Sequence, residues 1–127
     1  MKEISKISTD QAPQALGPYS QAVKVGDFLF CCGQIPIDPS NQQVITGDIK
    51  VQTERVCLNI KAVLEKAGLD FSRVVKSTCY LKDMNQFTAF NEVYEKFLGI
   101  SKPARTTIEV ARLPKDVSVE IEVIAAF

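Results

Sequence analysis

The last segment of the chain, residues 117–127, limits the possible folds more than any other stretch. Its apolar residues fall at every second position, and successive side chains of a β-strand point to opposite faces. The segment therefore predicts a strand with one wholly apolar face and one mixed face. The apolar face carries Val119, Ile121, Val123 and Ala125, and the mixed face carries Glu120, Glu122, Ile124 and Ala126.

Two amphipathic helices are predicted to cover one face of the sheet. The first runs over 48–67, with Asp48 as its N-cap and Gly68 as its stop. The second follows Asp83 and Gln86, whose spacing resembles a capping box, and it ends at Gly99. Apolar residues recur at helical spacing in both. These residues are Ile49, Val56, Ile60, Val63, Leu64 and Ala67 in the first helix, and Phe87, Phe90, Val93, Tyr94 and Phe97 in the second.

The other predicted strands are short. Gly26-Asp27 favours a tight hairpin turn, and residues 34–47, which are rich in turn formers, are expected to form a long loop. The element order predicts a single α+β domain over 1–127, with a mixed, mostly antiparallel sheet and two helices packed on one face. Besides 117–127, the strands are predicted over 2–8, 22–25, 28–33, 73–81 and 104–111.

The sheet face away from the helices has two interpretations. It is too apolar at Ile124 to be fully wet, so it either packs against other copies of the chain or forms a partly solvated antiparallel sheet. In the first case its charged residues line clefts between subunits. The strand 104–111 alternates in the same way, with Thr106, Ile108 and Val110 on one face and Arg105, Thr107 and Glu109 on the other.

The composition excludes several kinds of chemistry. The chain has no histidine, so Ser-His-Asp and Cys-His mechanisms are absent and acid-base steps must use other groups. Fifteen basic and fifteen acidic residues give zero net charge, which argues against a general nucleic-acid binder. No apolar run is long enough to span a membrane, and the N-terminal residues lack a secretory signal. We therefore expect a cytoplasmic protein.

The four cysteines also favour a cytoplasmic location. None are spaced as C-x-x-C, and all four lie in mostly apolar stretches, so we expect buried, reduced thiols rather than a metal or redox site. They are Cys31, Cys32, Cys57 and Cys79.

Arg105 and Glu120 are the candidate chemical groups. Arg105 lies at a strand start, two residues after Pro103, and a guanidinium suits bidentate capture of a carboxylate. It would otherwise form a structural ion pair with Glu109 or Glu122. Glu120 is either a water-orienting carboxylate or a surface glutamate. If the last two strands form a hairpin near Pro114, Arg105 lies opposite residue 124, ~13 Å from Glu120. The two would then share a site only across a subunit boundary.

Three further residues lie in segments that favour a pocket. Tyr19 is on a rigid Gly-Pro turn, where it either covers a pocket or caps the core. Gly33 ends a strand, and it either exposes its backbone N–H to a ligand or simply forms a bulge. Cys32 precedes it.

Four segments together resemble the RidA family, also called YjgF. They are 17–22 (GPYSQA), 32–36 (CGQIP), 103–107 (PARTT) and 113–122 (LPKDVSVEIE), in family order and spacing over essentially the whole chain. The resemblance implies a chorismate-mutase-like fold and a homotrimer with a barrel-like core and three sites between subunits. It also implies a deaminase that hydrolyses 2-iminobutanoate and 2-iminopropanoate to 2-oxoacids and ammonia. No cofactor or metal is expected.

The resemblance also implies roles for single residues. Arg105 would hold the substrate carboxylate, and Glu120 would position and help activate the attacking water. Tyr19 would close the pocket, Gly33 would offer its backbone to the ligand, and Asn91 would line the site.

Two positions depart from the family pattern. Many members carry Cys at the position of Thr107 and Ser at the position of Cys32. The resemblance implies that the backbone of Thr107 would still face the ligand. The expectation of a thiol-dependent role at position 107 is therefore weakened. Cys32 adds a thiol at the pocket edge, which is either reactive or buried and inert.

Other functions remain open from the sequence. A 2-oxoacid-binding regulatory module would use Arg105 without needing Glu120. A ribonuclease or translation inhibitor is disfavoured by zero net charge and by the lack of histidine and of an aromatic-basic RNA motif. A related enzyme with another small imine or carbonyl substrate is the third possibility.

Overall fold

The computed structural model describes all residues, Met1–Phe127, and confirms the α+β class. A mixed, mostly antiparallel sheet has the order β1-β2-β3-β8-β6-β7, and only β6 and β7 are parallel. A two-stranded ribbon, β4-β5, lies within the predicted long loop. The elements are β1 Ile4–Ile7, β2 Ala22–Val25, β3 Phe28–Cys31, β4 Ile37–Asp38, β5 Gln43–Val44, α1 Ile49–Lys66, β6 Val74–Leu81, α2 Phe87–Leu98, β7 Ala104–Glu109 and β8 Val119–Ala126.

The helix starts differ in how they are capped. Asp48 caps α1 as predicted, since its Oδ1 accepts a hydrogen bond from the N–H of Val51 at 3.0 Å. Asp83 instead caps a short 3₁₀ turn through the N–H of Asn85, and α2 begins after Gln86 with no side-chain cap. The predicted capping box is therefore wrong, because the N–H groups of Asn85 and Gln86 already donate to Asp83 within the 3₁₀ turn.

The core lies between the two helices and one face of the sheet. The four apolar residues of β8 are at most 1% exposed, so the alternation of the last strand is confirmed. The helix side of the core consists mainly of Val56, Ile60, Val63 and Leu64 from α1, and Phe90 and Leu98 from α2.

The last two strands do not form the hairpin that was considered for them. Strand β6 lies between β7 and β8, so Arg105 aligns with Ser77, and Ser77 in turn aligns with Val123. The connection over 110–118 is longer than a tight hairpin loop and passes the end of β6.

The side-chain directions of β7 also differ from expectation. Arg105 and Thr107 align with Ser77 and Cys79, which are buried under the helices, whereas Ile108 aligns with Tyr80 on the opposite face. Arg105 therefore does not share a face with Glu122. Thr107 is the only residue of this edge strand that is even partly buried. The alternation of polar and apolar residues in β7 therefore does not indicate which face the helices cover.

The sheet face without helices, which we call the open face, is partly apolar. Phe28, Phe30 and Ile108 are exposed by 45%, 44% and 42%. Ile124 aligns with Phe30 beside them. No helix of the chain is long and apolar enough to cross a membrane.

Candidate functional site

The structure separates the predicted site residues into two clefts on opposite faces of the sheet. The first, of about 410 Å³, is the Arg105 cleft, and the second, of about 620 Å³, is the Glu120 cleft. Thr107 lines neither. Asn91 and Arg105 line the Arg105 cleft, and Tyr19, Cys32, Gly33 and Glu120 line the Glu120 cleft.

Arg105 is held by one face of α2. Its Nη1 donates a hydrogen bond of 2.6 Å to Oδ1 of Asn91. Its guanidinium carbon lies 4.7 Å from the ring centroid of Tyr94 and 5.3 Å from that of Phe87. Helical spacing of three and four residues places these three side chains together, above the start of β7. Cation–π contacts and one amide therefore orient the guanidinium.

The ring beneath Arg105 is itself fixed. The hydroxyl of Tyr94 shares a buried hydrogen bond of 2.6 Å with the hydroxyl of Ser77 on β6. Phe87 and Tyr94 had been assigned only to the apolar stripe of the helix. Their contact with Arg105 depends on which strand packs against α2, and the sequence pattern does not give the order of the strands.

No carboxylate neutralises Arg105. The salt bridges of the protein are Lys50–Glu92, Lys61–Glu65 and Lys82–Asp116. The structural ion pair with Glu109 or Glu122 is thus not formed, since Glu109 accepts from the N–H of Met84 and Glu122 accepts from the hydroxyl of Tyr80. Arg105 is exposed, so its charge is free to bind an anion.

Thr107 lies two residues further along β7, above Cys79. Its Oγ1 is buried without a hydrogen-bond partner. Burial raises the pKa of the Cys79 thiol to about 11, so this neighbour stays protonated at neutral pH.

Glu120 lies on the open face against the backbone of Gly33. A Cβ atom added to Gly33 would be 2.1 Å from Oε2 of Glu120. Gln34 then pairs with Ile121, its N–H donating to the carbonyl of Ile121 at 2.8 Å and its carbonyl accepting in return at 3.2 Å. A side chain at position 33 would therefore displace the carboxylate of Glu120, which occupies that space.

A buried amide supports the loop that carries Tyr19. The side chain of Gln21 accepts from the N–H of Thr9 at 2.7 Å, and donates to the carbonyls of Thr9 at 2.9 Å and Pro13 at 2.7 Å. This residue was not predicted from the sequence. A fully buried glutamine is uncommon unless it is bonded in this way.

Asn59 supports the opposite wall of the Glu120 cleft. This α1 residue is completely buried, and its Nδ2 donates to the carbonyls of Ile35 and Ile37 at 3.2 and 2.9 Å. The sequence signal for this buried residue was its position directly before Ile60 of the apolar stripe. Lys115, with a left-handed φ of 55°, also lines this cleft and was not singled out.

Burial sets the protonation behaviour of the Glu120 cleft. It raises the pKa of Glu120, and the negative charge of Glu122 raises it further. Burial also raises the pKa of the Cys32 thiol, to which the charges of Glu120 and Glu122 contribute, while a hydrogen bond from Gln34 opposes the effect. Cys32 is therefore a poor nucleophile at neutral pH, whereas the carboxylate of Glu120 has an increased affinity for a proton.

The two clefts have complementary chemistry. The Arg105 cleft offers an oriented cation and the Glu120 cleft a half-buried base, and within one copy of the chain they do not meet. A family model described as Endoribonuclease L-PSP matches residues 9–127. This chain belongs to that family. The resemblance to RidA and YjgF proteins is thereby confirmed.

Members of the family match over nearly their whole length. A RutC family protein of Pyrococcus abyssi is 59% identical over 124 residues, which cover 98% of this chain and 96% of the relative. A crystal structure of a Rid family protein from Yersinia pestis has a TM-score of 0.95 and 43% identity, covering 98% of this chain and 100% of that one. The crystal structure of E. coli TdcF with bound serine has a TM-score of 0.91 and 40% identity, covering 97% and 98%.

Proposed function

We propose that this protein is a deaminase that hydrolyses 2-imino acids, such as 2-iminobutanoate and 2-iminopropanoate, to 2-oxoacids and ammonia. The observation that carries the proposal is the guanidinium of Arg105, which is oriented by Asn91 and Tyr94 and has no acidic partner. An unpaired, oriented guanidinium suits bidentate binding of a carboxylate. The family relative TdcF is described with bound serine, a 2-amino acid that shares the carboxylate and the C2 nitrogen of such a substrate.

The active site of the proposal forms between subunits. Arg105 and Glu120 line clefts on opposite faces within one copy, so a shared substrate requires Arg105 from one subunit and Glu120 from another. The exposed phenylalanines of the open face supply apolar surface for such packing. We propose a homotrimer with a barrel-like core and three equivalent sites, in agreement with the chorismate-mutase-like architecture that the family resemblance implies.

The reaction needs orientation and one proton carrier. Arg105 holds the carboxylate, and the imine carbon C2, already electrophilic, faces a water held by Glu120. As the water oxygen bonds to C2, Glu120 accepts a proton and passes it to the nitrogen. The C–N bond of the resulting carbinolamine breaks as its hydroxyl loses a proton through Glu120 to the departing nitrogen, which leaves as ammonia. The products are the 2-oxoacid and ammonia, and one water is consumed.

The remaining predicted residues have supporting roles in this proposal. Tyr19 closes the pocket from its exposed loop, and the backbone at Gly33 faces the ligand. Thr107, which lines neither cleft of one copy, would offer its backbone only in the assembled site. Cys32 lines the pocket as a thiol. The reaction requires no metal or cofactor, and we propose a cytoplasmic location, where enzymes that release such imines operate.

The test follows 2-oxobutanoate release in a threonine dehydratase reaction with semicarbazide to trap free imine. We expect wild type to increase oxoacid formation, and Arg105→Ala to lower kcat/KM by about 10²-fold, since two charge-assisted hydrogen bonds are lost. Arg112→Ala, which removes an exposed charge outside both clefts, is the matched control and should behave as wild type. A wild-type rate equal to buffer would refute the deaminase for this imine.

Glu120→Gln separates the enzyme from a binding module. An enzyme loses turnover but still binds 2-oxobutanoate through Arg105. If turnover survives in this variant while the Arg105→Ala variant fails to bind 2-oxobutanoate, the protein is a 2-oxoacid-binding module and the observed hydrolysis has another origin.

A further inference from the structure

A second carboxylate and a phenol lie beside Glu120 on the open face. Glu122 follows two positions later on β8, and therefore points to the same side of the sheet. Tyr80 on β6 is the register partner of Glu120, yet its hydroxyl donates a hydrogen bond to Oε1 of Glu122. Tyr80 thus spans from the position of one carboxylate to the other.

Neither carboxylate has an ion-pair partner. All three salt bridges of the protein join other groups. Glu120 and Glu122 are roughly 7 Å apart along the strand at ~3.3 Å per residue. At that distance two like charges repel appreciably when water is partly excluded, and both side chains are partly buried. The hydroxyl of Tyr80 fixes where the charge of Glu122 lies.

The other titratable groups around Glu120 come from four parts of the chain. Tyr19, on the loop before β2, Cys32, after β3, and Lys115, before β8, line the same cleft. On β6, Lys76 shares the open face, and its Nζ donates to the hydroxyl of Thr106 rather than to a carboxylate. On β7 the residues of this face are Ala104, Thr106 and Ile108, none of which titrates. Glu122 is thus the acidic group nearest along the strand.

We infer that Glu122 and Tyr80 are positioning residues for Glu120: Tyr80 holds the Glu122 carboxylate where its charge makes Glu120 a stronger proton acceptor. This inference rests on the proposed function, since it gives Glu120 the role of base. Burial, and then the charge of Glu122, raises the pKa of Glu120. The hydrogen bond to Glu122 raises the pKa of Tyr80 to about 12, so its hydroxyl remains a donor at neutral pH.

The sign of the pH effect follows from this arrangement. Glu120 acts as a base only when it is deprotonated, so its pKa sets the acid limb of the rate profile. Removing the negative charge of Glu122 lowers that pKa, and the acid limb moves to lower pH. The same change makes Glu120 a weaker base, so the rate on the plateau falls.

The first experiment reads Glu120 without any reaction. The side-chain carboxyl of Glu120 is titrated by carbon NMR in wild type, Glu122→Gln, Tyr80→Phe and the control Glu65→Gln, which removes an exposed carboxylate on α1. We expect the midpoint of Glu120 to fall by a few tenths of a pH unit or more in Glu122→Gln, and by less in Tyr80→Phe. The control should not differ from wild type. An unchanged midpoint in both test variants overturns the inference.

The second experiment measures the pH profile of imine hydrolysis. We expect Glu122→Gln to shift the acid limb down and reduce plateau kcat a few-fold with KM unchanged, since the carboxylate anchor is Arg105. A raised KM with unchanged kcat would make Glu122 a substrate contact instead. If wild type gives no turnover, the proposed function fails, while the NMR titration still decides whether Glu122 tunes Glu120. If Glu122→Gln does not fold, Tyr80→Phe, which keeps the ring, tests the inference in both the NMR titration and the pH profile.

Discussion

The Arg105 cleft and the Glu120 cleft are built in opposite ways. In the first, a single helix face supplies Asn91 and two aromatic rings to an arginine on an edge strand, and all contacts are between side chains. In the second, a backbone segment lies directly on the carboxylate of Glu120, and buried amides fix the surrounding loops. In the Arg105 cleft, removing one side chain leaves the other contacts to the guanidinium in place. In the Glu120 cleft, a side chain added at Gly33 would move the reacting carboxylate itself.

Complementation between inactive variants tests whether the two clefts meet across subunits. Arg105→Ala and Glu120→Gln are each expected to be inactive alone. When the two are unfolded together and reassembled in equal amounts, about a quarter of the sites of a cyclic assembly combine an intact Arg105 with an intact Glu120. Activity should therefore rise from background to about a quarter of the wild-type rate. Mixing without reassembly is the control, and no recovery after reassembly would place both residues in separate functions.

Gly33→Ala tests the close backbone contact of the Glu120 cleft. The added Cβ would displace the carboxylate, and a shift of about 1 Å in a reacting group lowers the rate by ~10²-fold. Binding of 2-oxobutanoate should persist, because Arg105, which holds the carboxylate, comes from the other subunit and does not contact Gly33. Gly26→Ala is the control: it adds strain at a φ of +57°, costing about 1 kcal/mol of stability, but its Cβ meets nothing. Equal turnover in the two variants would contradict the steric argument.

Asn91→Ala should have the smallest effect, because the rings of Tyr94 and Phe87 still hold the guanidinium. The loss of one hydrogen bond to a charged group is expected to raise KM by about 10-fold while kcat changes little. Steady-state kinetics measure this. Asn85→Ala, in the exposed turn before α2, serves as the comparison and should leave KM at the wild-type value. A drop in kcat alone would indicate that Asn91 acts in the chemical step.

Local patterns in the sequence predicted the elements that depend on local physics. The N-cap at Asp48, the turn at Gly26 and the buried face of β8 all follow from capping, φ preference and side-chain alternation. The order of strands does not, because β7 reaches its place beside β6 through a helical crossover. The assumed pairing of neighbouring strands therefore placed Arg105 opposite residue 124 instead of Ser77.

The candidate site was predictable only in part for the same reason. The family resemblance suggested Arg105, Asn91, Gly33 and Glu120 as site residues, but the clefts to which they belong depend on the sheet order. Polarity placed Arg105 on the wrong face, because an edge strand is exposed on both sides.

The placement of Arg105 and Glu120 on opposite faces has a consequence for mixed populations of the protein. In the proposed assembly every copy borders two sites and contributes a different group to each. A chain that lacks both groups but still assembles would spoil both of the sites it borders, including those whose other half is intact. Such an allele would act dominantly over the normal one, although the reaction itself needs only a single arginine and a single carboxylate.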